Sequence, residues 1–199
     1  HGKEMKVNGG SAAGTFSPVV FDSMLGWQNY SSHDSAYQSW MFRQHQGLDV
    51  SFYRGTGGNN DKHHNLGRVP EMIWCKCLDN AGDWTVYHKD LNDGTNPHDY
   101  RLVLNSTAAE AASDDWGGPG KTALVFDVSG EQNVNAANDH YMGICFASVD
   151  GICKVGSYSG SSSAKTITTG FQPRFVILKA ATSAQHWYLL DTLRGWGSG

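Results

Sequence analysis

Leu124-Val125-Phe126-Asp127 repeats Val19-Val20-Phe21-Asp22 at a distance of 105 residues. The same 105-residue spacing relates Tyr158-Ser159-Gly160 to Tyr53-Arg54-Gly55. Between them, Tyr141-Met142-Gly143-Ile144-Cys145-Phe146 echoes Tyr37-Gln38-Ser39-Trp40-Met41-Phe42. Further on, Gly170-Phe171-Gln172-Pro173 echoes Gly67-Arg68-Val69-Pro70 and Trp187 answers Trp84, now 103 residues apart, so one loop is two residues shorter. A repeat this long sets the architecture before any single motif does. It points to tandem units or stacked halves, and so to display or assembly more than to one catalytic cleft.

The composition suits an all-β chain. Hydrophobic residues make up 39% of the 199, with 24 glycines, seven Trp, eight Tyr and eight Phe. Aromatic side chains fill thin β-sandwich cores, and glycine makes the turns. A formal net charge of −4 leaves no basic footprint for nucleic acid. No apolar run approaches the length of a membrane span.

Strand signals dominate. Met72 to Leu78 and Arg174 to Lys179 are short apolar runs after Pro70 and Pro173, where proline favours an extended entry. Each passes through a polar turn into a second run, Trp84 to Tyr87 or Trp187 to Leu190, so a β-hairpin is predicted twice. Further strands are predicted at 18–21, 35–43, 48–53, 101–105, 123–128, 141–148 and 154–158. Thr107 to Ala112 is the one helix candidate, too short to organise a domain. Many short strands with glycine-rich turns imply duplicated antiparallel sandwiches, jelly-roll or lectin-like. Residues 53–157 then form one complete unit. Residues 1–52 and 158–199 are partial units that complement each other, within one chain or head to tail between chains, because an unfinished sandwich exposes strand edges. The chain starts at His1 and stops in mid-repeat, as expected of a piece of a longer polypeptide or of a processed one.

Several stretches together resemble a known family. They are Trp40-Met41-Phe42-Arg43, Asp49 through Gly57, His64 through Met72, Asp83 through His88, Leu102 through Ala109, Gly151 through Gly160, and Gly170 through Lys179 with Trp187 to Arg194. Over about residues 35 to 196 the chain is similar to repetitive virion proteins of tailed phages, common in marine and cyanobacterial phages. That resemblance implies a lectin-like β-sandwich, a place on the virion surface or outside the cell, and a tail-fibre or similar role. It supplies no catalytic residues.

The ligand-binding candidates are Trp84, Tyr87, His88, Trp187 and Asp191, since aromatic rings stack on sugar faces and a polar neighbour fixes orientation. The competing reading makes both tryptophans core anchors, and it is favoured because Trp recurs where the fold recurs while its polar neighbour does not. Lys76 and Lys179 stand six residues after each proline. They are read as snorkelling to a sheet edge, with pairing to a carboxylate at a module interface as the alternative.

Metal signals are sparse. His63-His64 with Asp61 lacks third and fourth ligands in sequence. Asp114, Asp115, Asn135, Asn138 and Asp139 are oxygen donors without EF-hand spacing, and ordinary Asx turns explain them equally. Cys75, Cys77, Cys145 and Cys153 are read as buried thiols, with a bridge from Cys75 or Cys77 to Cys145 as the alternative. Gly117-Gly118-Pro119-Gly120-Lys121-Thr122 lacks the first glycine of a phosphate loop and is followed by a strand.

The expected function is a non-enzymatic virion surface module for structural display and host-glycan adhesion, needing no cofactor. Its expected partners are copies of itself, other virion proteins and a host-surface glycan, with no nucleic acid and no membrane insertion. One alternative is an assembly protein, a capsid decoration or filament subunit without host ligand. Another is a polysaccharide-active enzyme, above all a copper oxygenase using His1 as an N-terminal copper ligand.

Overall fold

The computed structural model describes residues 3–4, 7–15, 20–22, 26–28 and 41–194. Its strands are β1 (Lys3–Glu4), β2 (Gly14–Thr15), β3 (Val20–Asp22), β4 (Gly26–Gln28), β5 (Leu48–Arg54), β6 (Asn60–His63) and β7 (Met72–Cys77). There follow β8 (Thr85–His88), β9 (Tyr100–Val103), β10 (Ala111–Ala112), β11 (Val125–Val128), β12 (His140–Phe146), β13 (Phe175–Leu178) and β14 (Tyr188–Asp191). The described residues are all-β and antiparallel, and among them the helical content is two short 3-10 turns at Leu91–Gly94 and Pro97–Asp99.

The main sheet runs β10-β9-β8-β7-β12-β5. Strands β7 to β10 form a meander, and β12 returns to lie between β7 and β5. Alternation then sorts side chains to two faces. Ile73, Cys75 and Cys77 of β7 face one side together with Tyr87, Tyr141, Cys145 and Tyr53. The β6–β11 ribbon covers that side with Phe126 and Val128, joined by Trp116, Val134 and Leu66. Tyr53 stacks on Tyr141 at 5.4 Å, and Phe126 meets Tyr53 edge-on at 6.0 Å. Gly143 in mid-β12 makes this possible, since a Cβ there would lie 2.9 Å from the Phe126 ring tip. The opposite side of the sheet carries a second cluster of Val86, Leu91 and Leu102, packed by Trp74, Leu104 and Trp187.

The predicted hairpins are both present, and their registers correspond. In β7–β8, Met72 faces His88, Ile73 faces Tyr87, Trp74 faces Val86 and Cys75 faces Thr85. In β13–β14, Phe175 faces Asp191, Val176 faces Leu190, Ile177 faces Leu189 and Leu178 faces Tyr188. Every pair is the first set moved by 103 residues. A second correspondence was not expected. Lys3 faces Thr15 and Glu4 faces Gly14, while Tyr100 faces Ala112 and Arg101 faces Ala111. The β1–β2 and β9–β10 pairs therefore match at a spacing of 97 residues.

Other expectations are corrected. Thr107 to Ala112 forms no helix; its last two residues are β10, an edge strand on β9. Residues 154–158 form no strand; all but Val155 are exposed, and the Val155 backbone is bonded to the Ser148 hydroxyl. Strand β5 pairs with β12 from Leu48 to Arg54, so the main sheet takes in residues on both sides of position 53. Of the strand predicted at 35–43, residues 35–40 lie outside the described set and 41–43 are unpaired.

Candidate functional site

The sheet, the Gly94–His98 turn and the Pro119 loop together frame an open cleft of about 660 Å³. Strand β8 aims Tyr87 at it, and the segment leading into β7 supplies Arg68 and Glu71. Lys89, His98 and Lys121 add to its polar lining, with Asn96 and Ser148. The cleft thus carries three fixed cations and one carboxylate within a chain of net charge −4.

Most of these charges are held rigidly. Lys121 lies 3.0 Å from Asp127, their side chains only 5% and 9% exposed, and its ammonium sits 4.3 Å from the Tyr87 ring centroid. Burial pushes the Lys121 amine down, and Asp127 pulls it partly back. Burial also pushes the Tyr87 hydroxyl up to about 12. Lys89 meets Glu71 at 2.6 Å. Burial raises the Glu71 carboxyl, but hydrogen bonds from Lys89 and Ser148 outweigh it and hold the group below its ordinary value. Arg68 is exposed and makes no hydrogen bond or ion pair among the described residues. Arg68 and Lys89 give the cleft cationic hydrogen-bond donors, a lining chemically suited to an oxyanion.

The five ligand candidates do not converge. Tyr87 alone lines the cleft. His88, next in the strand, points to the other face, and its Nδ1 accepts from the Asp90 amide at 3.1 Å. Trp84 is 2% exposed and offers no ring face to a ligand. Trp187 is half-buried on the second cluster, with Nε1 donating to the Val103 carbonyl at 3.0 Å. Asp191, 3% exposed, accepts from the Arg194 guanidinium at 2.6 Å and closes its own turn. Both rings are engaged in packing, Trp84 fully buried and Trp187 half-buried against the second cluster.

Of the metal candidates, His64, Asn135 and Asp115 are occupied by structural bonds. His64 is buried against Phe126, its Nδ1 accepting from the Leu66 amide at 3.2 Å and its Nε2 3.3 Å from the Thr122 carbonyl. Asn135 is fully buried and ties the 56–58 loop to Ser129 through Thr56, Gly58 and Ser129 backbone groups. Asp115 takes Arg101 at 2.7 Å. Among the described residues, no three His, Cys, Asp or Glu side chains are placed to hold an ion. His1 lies outside the described residues. All four cysteines are free; burial pushes the Cys75 thiol up to about 12 and raises Cys145 and Cys153 as well.

Lys76 is the residue whose role was misjudged. It is completely buried rather than snorkelling to solvent, and among the described residues its ammonium bonds carbonyls and no carboxylate. Its ammonium donates to the Gly10 carbonyl at 3.3 Å and the Gly82 carbonyl at 3.0 Å. Lys179 likewise donates to the Thr107 carbonyl at 3.4 Å and the Ala180 carbonyl at 2.8 Å. The missed signal was Asn8-Gly9-Gly10-Ser11-Ala12-Ala13 against Asn105-Ser106-Thr107-Ala108-Ala109-Glu110, related by the 97-residue spacing.

No helix among the described residues is long and apolar enough to cross a membrane. The chain belongs to a family described as a domain of unknown function (DUF7483), which it matches over residues 31–196. No curated protein matches the chain. No solved structure matches it either.

Proposed function

We propose that this chain is a non-enzymatic, repeat-built surface module, displayed on a phage tail fibre or similar appendage, whose cleft takes host-surface glycans. The observation that carries this reading is the pair of hairpins with one register 103 residues apart. Catalytic domains need one constellation, whereas display proteins gain from copying a unit, since weak contacts add through multivalency. On this reading β13–β14 opens a second sandwich, to which residues 1–52 and 158–199 contribute. The resemblance to repetitive virion proteins supports the outer surface of a particle as its location.

Within the cleft, Arg68 and Lys89 favour glycans bearing carboxylate or sulfate groups, because a guanidinium binds such oxyanions bidentately. A glycan array with acidic and neutral sugars tests this. Binding of acidic glycans that falls at least about tenfold in Arg68→Ala, with no reducing-end release, supports adhesion. Release of reducing ends would replace it with an enzyme.

The assembly reading, a capsid decoration or filament subunit without host ligand, is favoured by the lysine contacts at Gly10 and Thr107. Filaments of the purified chain in electron micrographs, with an empty glycan array, would select it.

A further inference from the structure

The two lysine contacts belong to a larger match. In one place the Ala13 amide donates to the Leu78 carbonyl at 2.9 Å while Lys76 holds the Gly10 carbonyl. In the other the Glu110 amide donates to the Ala181 carbonyl at 2.7 Å while Lys179 holds the Thr107 carbonyl. Moving the first arm by 97 residues turns Gly10 and Ala13 into Thr107 and Glu110. Moving the first hairpin by 103 turns Lys76 and Leu78 into Lys179 and Ala181. Both hydrogen bonds are carried over together, although arm and hairpin are far apart in sequence and shift by different amounts.

We infer that these are one joint used twice, in which the end of a hairpin binds the main chain of a small-residue arm from the unit before it. This rests on the repeat-built reading and names the partner surface by which units are fastened. Each arm carries a short antiparallel pair, β1–β2 or β9–β10, followed in the chain by the hairpin it docks on. The order arm, hairpin, arm, hairpin gives the joint a fixed polarity, head to tail.

The chemistry explains the residue types. The hairpin offers a carbonyl at Leu78 or Ala181 and an ammonium with free donors; the arm offers an amide and a carbonyl. A lysine bonded to carbonyls recognises backbone, so the arm's side chains matter chiefly by being small. Gly10 shows this most sharply: its amide-side neighbour Gly82 donates to the Gly10 carbonyl at 2.7 Å, and a Cβ on Gly10 would stand 3.0 Å from the Gly82 carbonyl oxygen. In the second joint the Trp187 indole donates to the Val103 carbonyl at 3.0 Å, at the end of β9.

Hydrogen–deuterium exchange on the full chain tests the joint. Lys76→Met should speed exchange at the Ala13 amide by at least about tenfold and leave Glu110 unchanged. Lys179→Met should do the reverse. Amides of β12 report whether the sheet still folds; if Lys76→Met unfolds it, Gly10→Val perturbs the same joint from the arm side. Local and separate loss in the two variants supports a shared joint. Unchanged exchange at both arms, or a response of both arms to either lysine, overturns it. Glycan binding through Arg68 can survive that outcome, so failure of the joint and failure of adhesion are distinguishable.

Discussion

Gly143 and Asn135 show how single residues decide the core. Gly143→Ala should cost about 1–3 kcal/mol, because Phe126 must give way to the new methyl. Urea unfolding reads it directly; an unchanged midpoint would mean that Phe126 does not lie on the sheet as described. His64 gives the chain a pH signature. Burial holds its ring below the usual 6.5, and His88 is lowered for the same reason. Between the folded and unfolded values the unfolded chain binds more protons, so stability is present above the unfolded value and is lost as pH falls through the folded one. The stability profile should slope downward below pH ~6.5, and His64→Asn should flatten part of that slope. A profile identical in the two proteins would show that His64 titrates freely.

Among the elements, the β6–β11 ribbon seals the core. Phe126→Ala should cost about 3–5 kcal/mol in chemical denaturation, as expected for a fully buried aromatic ring. The hairpins behave differently. Trp84 is buried within the main unit, whereas Trp187 fastens β13–β14 from outside, against Val86, Leu91 and Leu102. Trp187→Ala should therefore expose β13–β14 to limited proteolysis while the six-stranded sheet stays intact. Joint loss of both would mean that the hairpin and the main sheet unfold as one body.

At the scale of the whole molecule, the hairpins and the all-β class were legible because Pro70 and Pro173 punctuate equivalent apolar runs. The arms were not, since Val7 to Gly14 aligns with Leu104 to Ala111 only if the loop before Phe21 is shortened by eight residues. Small residues also carry little periodic signal, and Thr107 to Ala112 reads as helix on propensity until β9 and Ala181 claim its backbone. Strand β6, Asn-Asp-Lys-His, is too polar to be called from pattern; its buried lysine bonds Asn60 and the Arg54 carbonyl. The cleft was missed because Arg68, Lys89, His98 and Lys121 come from separate segments that only the fold brings together.

Two arms dock on two hairpins through the same pair of hydrogen bonds. Nuclear Overhauser contacts in the uniformly labelled chain test this most directly. The account predicts the Ala13 amide beside Leu78, the Glu110 amide beside Ala181, and Phe175 opposite Asp191 as Met72 is opposite His88. A slipped register in the second hairpin, or either arm lying against a different segment, would contradict it.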